Sequence, residues 1–496
     1  MVQMQTLLAA PDRRRLLTAS LMATAMASFE GSIVGTAMPT IVASLGEFNL
    51  FSWVFAVYFL MMAVSVPLYG RFADLFGRKR VIFAGLAISL VGTTLCGFAP
   101  TMLDLVLFRA VQGLGAGAVL LLPLIILGDI YTPVERAGLQ GYYQLAFGIS
   151  ALAATALGSF IAQKLHWSLV FWVYLPLGGA IIVMYKLFLH EQIIRRERQL
   201  DLLGAALLVV GIGAVMLAFM QARTLGTGSL PIAFLGVVVL ALLILHERRM
   251  PEPIVPYRLW RNRIIVLANL CTFGFFVTLM GVAVSLPTYV QGVLDGSPTG
   301  AGFALGCLAV SWMCGSFATA FVMTRTSYRT SAIIGGVLVV VATGMLSLSR
   351  PANGIAWVFA GSLTLGLGMG FSAPAFLLSV QASVDWKERG AATGSLMFMR
   401  LLGQCVGAAL FGAIVNFGVS RRLGEAGEAV SRLLTPTTRQ GLDAAQIAKL
   451  QAGLADAVHE VYLVVFMLAT LMLAMSVLYP AGVSPTQPAA LQPRSG

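Results

Sequence analysis

The segment from Leu16 to Leu45, LLTASLMATAMASFEGSIVGTAMPTIVASL, runs for thirty residues with a single ionisable side chain, Glu30, at its centre. At about 1.5 Å of rise per residue, that length exceeds the ~30 Å hydrocarbon core of a bilayer, so the segment reads as a membrane-crossing helix with Glu30 near the midplane. A carboxylate there costs about 2.5–3.5 kcal/mol on insertion scales, and is expected to face a bundle interior or a water-filled cavity. Burial disfavours the charged form, so an acid that gains and loses a proton is the first functional reading of Glu30. A neutral side chain making one interhelical hydrogen bond is the plainer alternative.

The rest of the chain has the same character. Of its 496 residues 58% are hydrophobic and only 10% charged, which excludes an ordinary soluble domain. Long apolar runs, rather than two-residue alternation, favour a helical bundle over a barrel. Fourteen spans are expected, near 16–45, 50–70, 81–99, 102–128, 137–162, 168–190, 202–221, 229–246, 264–290, 299–323, 331–348, 354–380, 390–419 and 460–479. The net charge of +12 gathers in alternate linkers, among them Arg13 to Arg15, Arg71 with Arg78 to Arg80, and Arg248 with Arg249. The short intervening linkers hold only Lys164, Arg223 and Arg350. This asymmetry places both termini in the cytoplasm and accounts for the charge without nucleic acid.

The five cysteines lie inside apolar spans and are read as packing residues, and His166, His190, His246 and His459 as interface residues. No nucleophile–base constellation or metal-ligand spacing occurs, so neither an enzyme nor a metal site is expected. Phe29, Trp53, Tyr58, Tyr142, Tyr143, Phe275, Phe276 and the 22 methionines are read mostly as packing, with an adaptable apolar pocket as the alternative.

Gly113-Leu114-Gly115-Ala116-Gly117 recurs as Gly366-Leu367-Gly368-Met369-Gly370, and at the same spacing Glu135-Arg136 recurs as Glu388-Arg389. A constant spacing through two spans and their linker implies duplication. The expected organisation is a cytoplasmic N-terminus (1–15), an N-terminal six-helix bundle (16–190), a linker carrying two inserted helices (191–261), a C-terminal six-helix bundle (262–479) and a disordered cytoplasmic tail (480–496). Within the second bundle, an outer loop (420–459) carries a short surface helix beginning at Asp443, with Ile447, Leu450, Leu454 and Val458 on its apolar face. Paired bundles of this kind are a transporter architecture with the binding site between the halves.

Gly70-Arg71-Phe72-Ala73-Asp74-Leu75-Phe76-Gly77-Arg78-Lys79-Arg80 closes the turn between the second and third spans. It resembles motif A of the major facilitator superfamily, whose pattern is GxxxDxxGRRR. Further stretches resemble the drug:proton antiporter branch with fourteen spans. These are Phe29-Glu30 followed by Ala37-Met38-Pro39, then Leu107-Phe108-Arg109-Ala110-Val111-Gln112-Gly113, and Trp167 to Phe171 with Leu175-Pro176-Leu177-Gly178. Gln291, Ser297-Pro298 and Arg400-Leu401-Leu402-Gly403 fit the same branch. Motif C departs from the pattern, because Thr155 stands where its proline is expected.

The resemblance implies an all-α membrane protein with the major facilitator fold, two six-helix bundles plus two inserted helices. The implied activity is proton-coupled export of lipophilic drugs across the inner membrane, with a proton gradient in place of any cofactor. The partners are then protons, a small-molecule substrate and the lipid bilayer, and a periplasmic adaptor on the outer loop is left open. Glu30, Arg109 and Arg400 are the candidates for proton coupling and substrate contact, with structural pairing the alternative for both arginines. Gln112 and Gly113 belong to the fourth-span motif. Gly70, Asp74, Gly77, Arg78 and Arg80 form the inner gate, where Asp74 and Arg78 are expected to pair across the two halves. Export or import of an anionic metabolite or a lipid, and a non-transporting scaffold, are the competing functions.

Overall fold

The computed structural model describes residues 10–131, 133–191, 201–220, 228–250, 259–323, 325–384, 388–424, 430–433 and 443–480, and no strand occurs among them. The first half contains α1 (Ala10–Leu45), α2 (Phe51–Phe76), α3 (Arg78–Gly97), α4 (Met102–Ile130), α5 (Pro133–Lys164) and α6 (Leu175–Phe188). Then come α7 (Leu202–Met220) and α8 (Ser229–Glu247). The second half contains α9 (Arg263–Thr288), α10 (Pro298–Met323), α11 (Tyr328–Ser347), α12 (Gly354–Ala382), α13 (Arg389–Leu423) and α14 (Ala444–Val477). Thirteen of the described helices are long and apolar enough to cross a membrane, and the shorter Leu203–Phe219 stretch within α7 makes the fourteenth.

The boundaries depart from the sequence expectation in three places. A one-turn helix, Leu169–Trp172, precedes α6, whose first turn carries Pro176. The end of α9 widens into a π-helical turn, Tyr289–Val293. The surface helix expected after Asp443 is instead the beginning of α14. Asp443 caps it as foreseen, accepting from the Gln446 amide at 2.6 Å, but no glycine or proline breaks the chain between Val458 and Val461, so one helix continues. Leu450, Leu454 and Val458 are buried, and Gly453 packs on Leu423 of α13. Arg422 pairs with Asp456 at 3.3 Å and Glu460 at 2.7 Å, so α13 and α14 project together past the spans. The expected tail falls almost wholly on 481–496, outside the described residues.

Lipid tails offer helices no hydrophobic reason to associate, so close backbone approach through small residues takes over. The duplicated glycines supply it identically in both halves. Gly113 faces the Tyr58 carbonyl of α2, and Gly366, its counterpart, faces the Leu308 carbonyl of α10; neither leaves room for a Cβ. A Cβ on Gly115 would stand 2.5 Å from the Gly85 carbonyl of α3, and one on Gly368 would stand 2.8 Å from the Gly335 carbonyl of α11. Thus α4 wedges between α2 and α3 as α12 wedges between α10 and α11.

The halves meet through α2 against α13 and α5 against α10, while α7 leans on α2 and α13 and α8 packs on α7. Many of their contacts fall toward the end opposite the Gly77 turn. Asn416 Nδ2 donates to the Asn49 carbonyl at 2.9 Å, Ser52 abuts Gly412, and Gln163 donates to Thr299. On α5, Ser159 and Thr155 press on Gly302, and the helix runs unbroken through Thr155. A second series of contacts, between Gly148 and Met313 and between Phe147 and Trp312, lies mid-membrane.

Gly115→Val and Gly368→Val should therefore destabilise the protein to similar degrees, by about 1–3 kcal/mol or more, since both force backbone apart. Gly394→Ala, where a Cβ meets nothing within 4 Å, should not. Thermal unfolding of the purified variants measures the difference.

Candidate functional site

Thr101 caps α4, accepting from the Asp104 amide at 3.1 Å, and the helix it starts carries Arg109 two turns into the bilayer. Gly113 lets α4 close on α2, and Gly92 lets α3 close on Gln112, so an arginine one turn from Gly113 can reach backbone on its neighbour. Arg109 Nε donates to the Val54 carbonyl at 3.2 Å, and Nη1 donates to Glu30 Oε1 at 3.1 Å and Gln112 Oε1 at 2.7 Å. The guanidinium lies 4.0 Å from the centre of the Tyr58 ring. Gln112 passes the network on, donating from Nε2 to Thr93 Oγ1 at 2.8 Å and to the Tyr174 hydroxyl.

Glu30 and Arg109 are each 1% exposed. The carboxylate sits inside the first bundle, among α1, α2 and α4, rather than on the face turned to the second half. Single buried charges are prohibitive, and a pair becomes tolerable only when its remaining donors and acceptors are satisfied. Gln112, Val54 and the Tyr58 ring do this for Arg109. The arrangement can hold or release one proton at Glu30 while Arg109 stays charged.

Three of these groups went unrecognised in the sequence: Thr93, Tyr174 and the Val54 carbonyl. Tyr174 lies between Phe171 and Pro176 in the motif leading into α6, which was the available signal. Tyr58 was noted only as an aromatic residue.

At the α2–α3 turn, Gly77 adopts φ +87°, which glycine reaches without strain. Arg78 pairs with Asp129 of α4 at 3.0 Å and with Glu191 after α6 at 3.7 Å. These two partners lie on α4 and just after α6, on the same side of the molecule as Arg78 itself. Glu191 also accepts from the Arg78 and Lys79 amides at 2.8 and 2.9 Å, placing a carboxylate on the N-terminus of α3, where the helix dipole favours it. The side chain of Asp74 lies outside the described residues. Gly70 faces Leu121, Arg71 is buried and Arg80 exposed. His246, in the last turn of α8, lies 2.8 Å from Asp201, which caps α7 through the Gly204 amide.

Arg400 is placed differently from Arg109. Its guanidinium lies 4.7 Å from the Phe276 ring of α9 and 5.8 Å from the Phe147 ring of α5, at the junction of the halves. Among the described residues it has no carboxylate or carbonyl partner, and its Nε is buried without an acceptor. Each ring contact contributes about 0.5–2 kcal/mol, against the ~2.5–3.5 kcal/mol or more that a central arginine costs. One side of the side chain is partly accessible. Phe275, one residue from Phe276, stacks instead on Phe376 in the core.

The sequence profile of the Major Facilitator Superfamily matches residues 20–408. The chain is 31% identical over 405 residues to "Multidrug resistance protein 3" of Bacillus subtilis (strain 168), covering 81% of this chain and 79% of that one. It is 30% identical over 416 residues to "Multidrug transporter protein MdtP" of the same organism, covering 82% and 75%. Among solved structures, a bacterial homologue of the human lysosomal transporter Spinster, inward-facing and occupied, superposes with a TM-score of 0.65 at 16% identity, covering 95% of this chain and 97% of that one. An auto-inhibited POT family peptide transporter gives 0.66 at 14% identity, covering 96% and 99%. At these identities the two structures speak for the fold alone.

Arg109→Met should cost about 3–5 kcal/mol, because it strands the Glu30 carboxylate among apolar side chains. Adding Glu30→Gln should restore part of the loss. A double-mutant cycle on unfolding in a lipid-like detergent measures this, and strictly additive losses would show that the two side chains do not support each other.

Proposed function

Because the chain belongs to the major facilitator superfamily and is a membrane transporter rather than an enzyme, we propose that it exports lipophilic organic compounds in exchange for protons. The observation that carries this reading is the Glu30–Arg109 pair, a carboxylate at mid-membrane held by a permanently charged partner. Two multidrug-named relatives at about this similarity support the export of foreign compounds.

When Glu30 is ionised, Arg109 divides its donors between Glu30, Gln112 and Val54. When Glu30 takes a proton, its share of that attraction falls, while Gln112, Val54 and the Tyr58 ring keep Arg109 in place. Protonation therefore loosens α1 from α4 without exposing the arginine. In an alternating-access cycle, a proton taken from outside would bias one arrangement of the halves and its release inside the other. The arginine-rich linkers support cytoplasmic termini and an inner-membrane location, and on that orientation the contacts from Asn49 to Asn416 close the external side.

Glu30→Gln should abolish accumulation driven by an imposed pH gradient in proteoliposomes, while substrate exchange without a gradient persists. Fluorescent cationic, neutral and anionic lipophilic compounds are suitable probes. Full gradient-driven transport by this variant would remove Glu30 from the coupling step, and substrate entry in the direction of the protons would identify an importer.

A further inference from the structure

We propose that Arg400 is the head-group site of the transported compound and that it selects lipophilic anions, a flat apolar body carrying a carboxylate or sulfonate. This rests on the transporter reading above and names the substrate class of the same protein.

Four observations converge on Arg400. Glu30 and Arg109 cancel each other inside the first bundle, so Arg400 is the cation in the middle of the described spans left without an opposite charge. Its immediate surroundings are aromatic: Phe276, Phe147, and Trp312, whose ring lies 5.9 Å from Phe276 and 6.4 Å from Phe147. Gly403 holds α13 against the Phe273 carbonyl of α9, closely enough that a Cβ would lie 2.5 Å away, and this fixes Arg400 one turn earlier beside Phe276. Finally, the cluster draws on both halves, Phe147 from the first and Arg400, Phe276 and Trp312 from the second, so an occupant touches both bodies that must move.

A guanidinium presents a fork of donors matched to a carboxylate or sulfonate, and flanking rings supply faces for a flat apolar body. A cationic head group meets uncompensated positive charge here and is disfavoured. A neutral compound can stack on the rings but leaves the guanidinium without an acceptor.

The test compares 1-naphthaleneacetate, its neutral amide and 1-naphthylmethylamine, which share one apolar body. Binding to the purified full-length protein is read by quenching of tryptophan fluorescence, with Trp312→Phe identifying the local signal. The carboxylate should bind about tenfold or more tightly than the amide, and the amine least. Arg400→Gln should reduce the carboxylate to the level of the amide without weakening the amide, and Arg400→Lys should restore part of the preference. Equal binding of all three compounds by the native protein would overturn the proposal, as would an Arg400→Gln variant that loses amide and carboxylate alike. If Arg400→Gln does not fold, the native ranking and Arg400→Lys decide it. A native protein that binds the carboxylate selectively but moves nothing under a pH gradient would refute the coupling reading and leave this one standing. Gradient-driven transport of the amine, unaffected by Arg400→Gln, would do the reverse.

Discussion

At the middle of a bilayer no water waits to complete a polar group's hydrogen bonds, and an arginine has no neutral form to retreat into. Arg109 is where this constraint acts hardest. Its acceptors come from α1, α2 and α4 itself, and one of those, Gln112, is in turn held by α3 and by Tyr174 at the threshold of α6. Five of the six helices of the first bundle are thus fixed relative to one charged group. The glycines at 92 and 113 are the condition for it, because a methyl group at either would separate the backbones by more than the network can span.

The second bundle repeats the scaffold without the charge. Gly366 and Gly368 press against α10 and α11 as Gly113 and Gly115 press against α2 and α3, yet Ser362 stands in the place of Arg109 and Leu365 in the place of Gln112. Helix packing and polar chemistry are therefore separable here. The glycine wedge is common to both halves, and the second adds neutral bonds such as Asn269 to Ser395 and Thr319 to the Gly370 carbonyl where the first has its buried pair.

What the sequence could convey follows from the distance over which each feature is encoded. Spans were legible because hydropathy is local, and the wedge was legible because its glycines repeat at one spacing. Asp443 correctly marked a helix start, but a cap says nothing of where the helix ends, and so the continuity of α14 was missed. The partners of Arg78 were out of reach for another reason. Asp129 and Glu191 lie far along the chain in unrelated contexts, and the turn motif itself supplied a nearer acid in Asp74. For Arg109 the sequence left coupling and structural pairing both open and named no partner, since nothing in either span fixes which face of α4 meets α1. The rings around Arg400 come from separate helices and have no common sequence signal.

The two charged centres are physically close in one respect that matters for transport. Ser28, two residues before Glu30, donates to the backbone carbonyl of Phe147 at 2.8 Å, and Ser150 donates to the Ala25 carbonyl of the same helix at 2.5 Å. These bonds tie α1 to α5 at the level of the ring that faces Arg400. Helix α1 also meets the second half directly, packing on α9 and α10, with Gly35 facing Leu305. Continuity of contacts is not itself coupling, which requires an element with two arrangements that both sites bias. The seam between α5 and α10 is where contacts from both centres converge, through Phe147 and Trp312. It joins two bodies that are each packed on a glycine wedge. A proton at Glu30 and an anion at Arg400 would then act on one boundary from its two sides, the first by loosening α1 beneath Phe147 and the second by bridging Phe147 to α13.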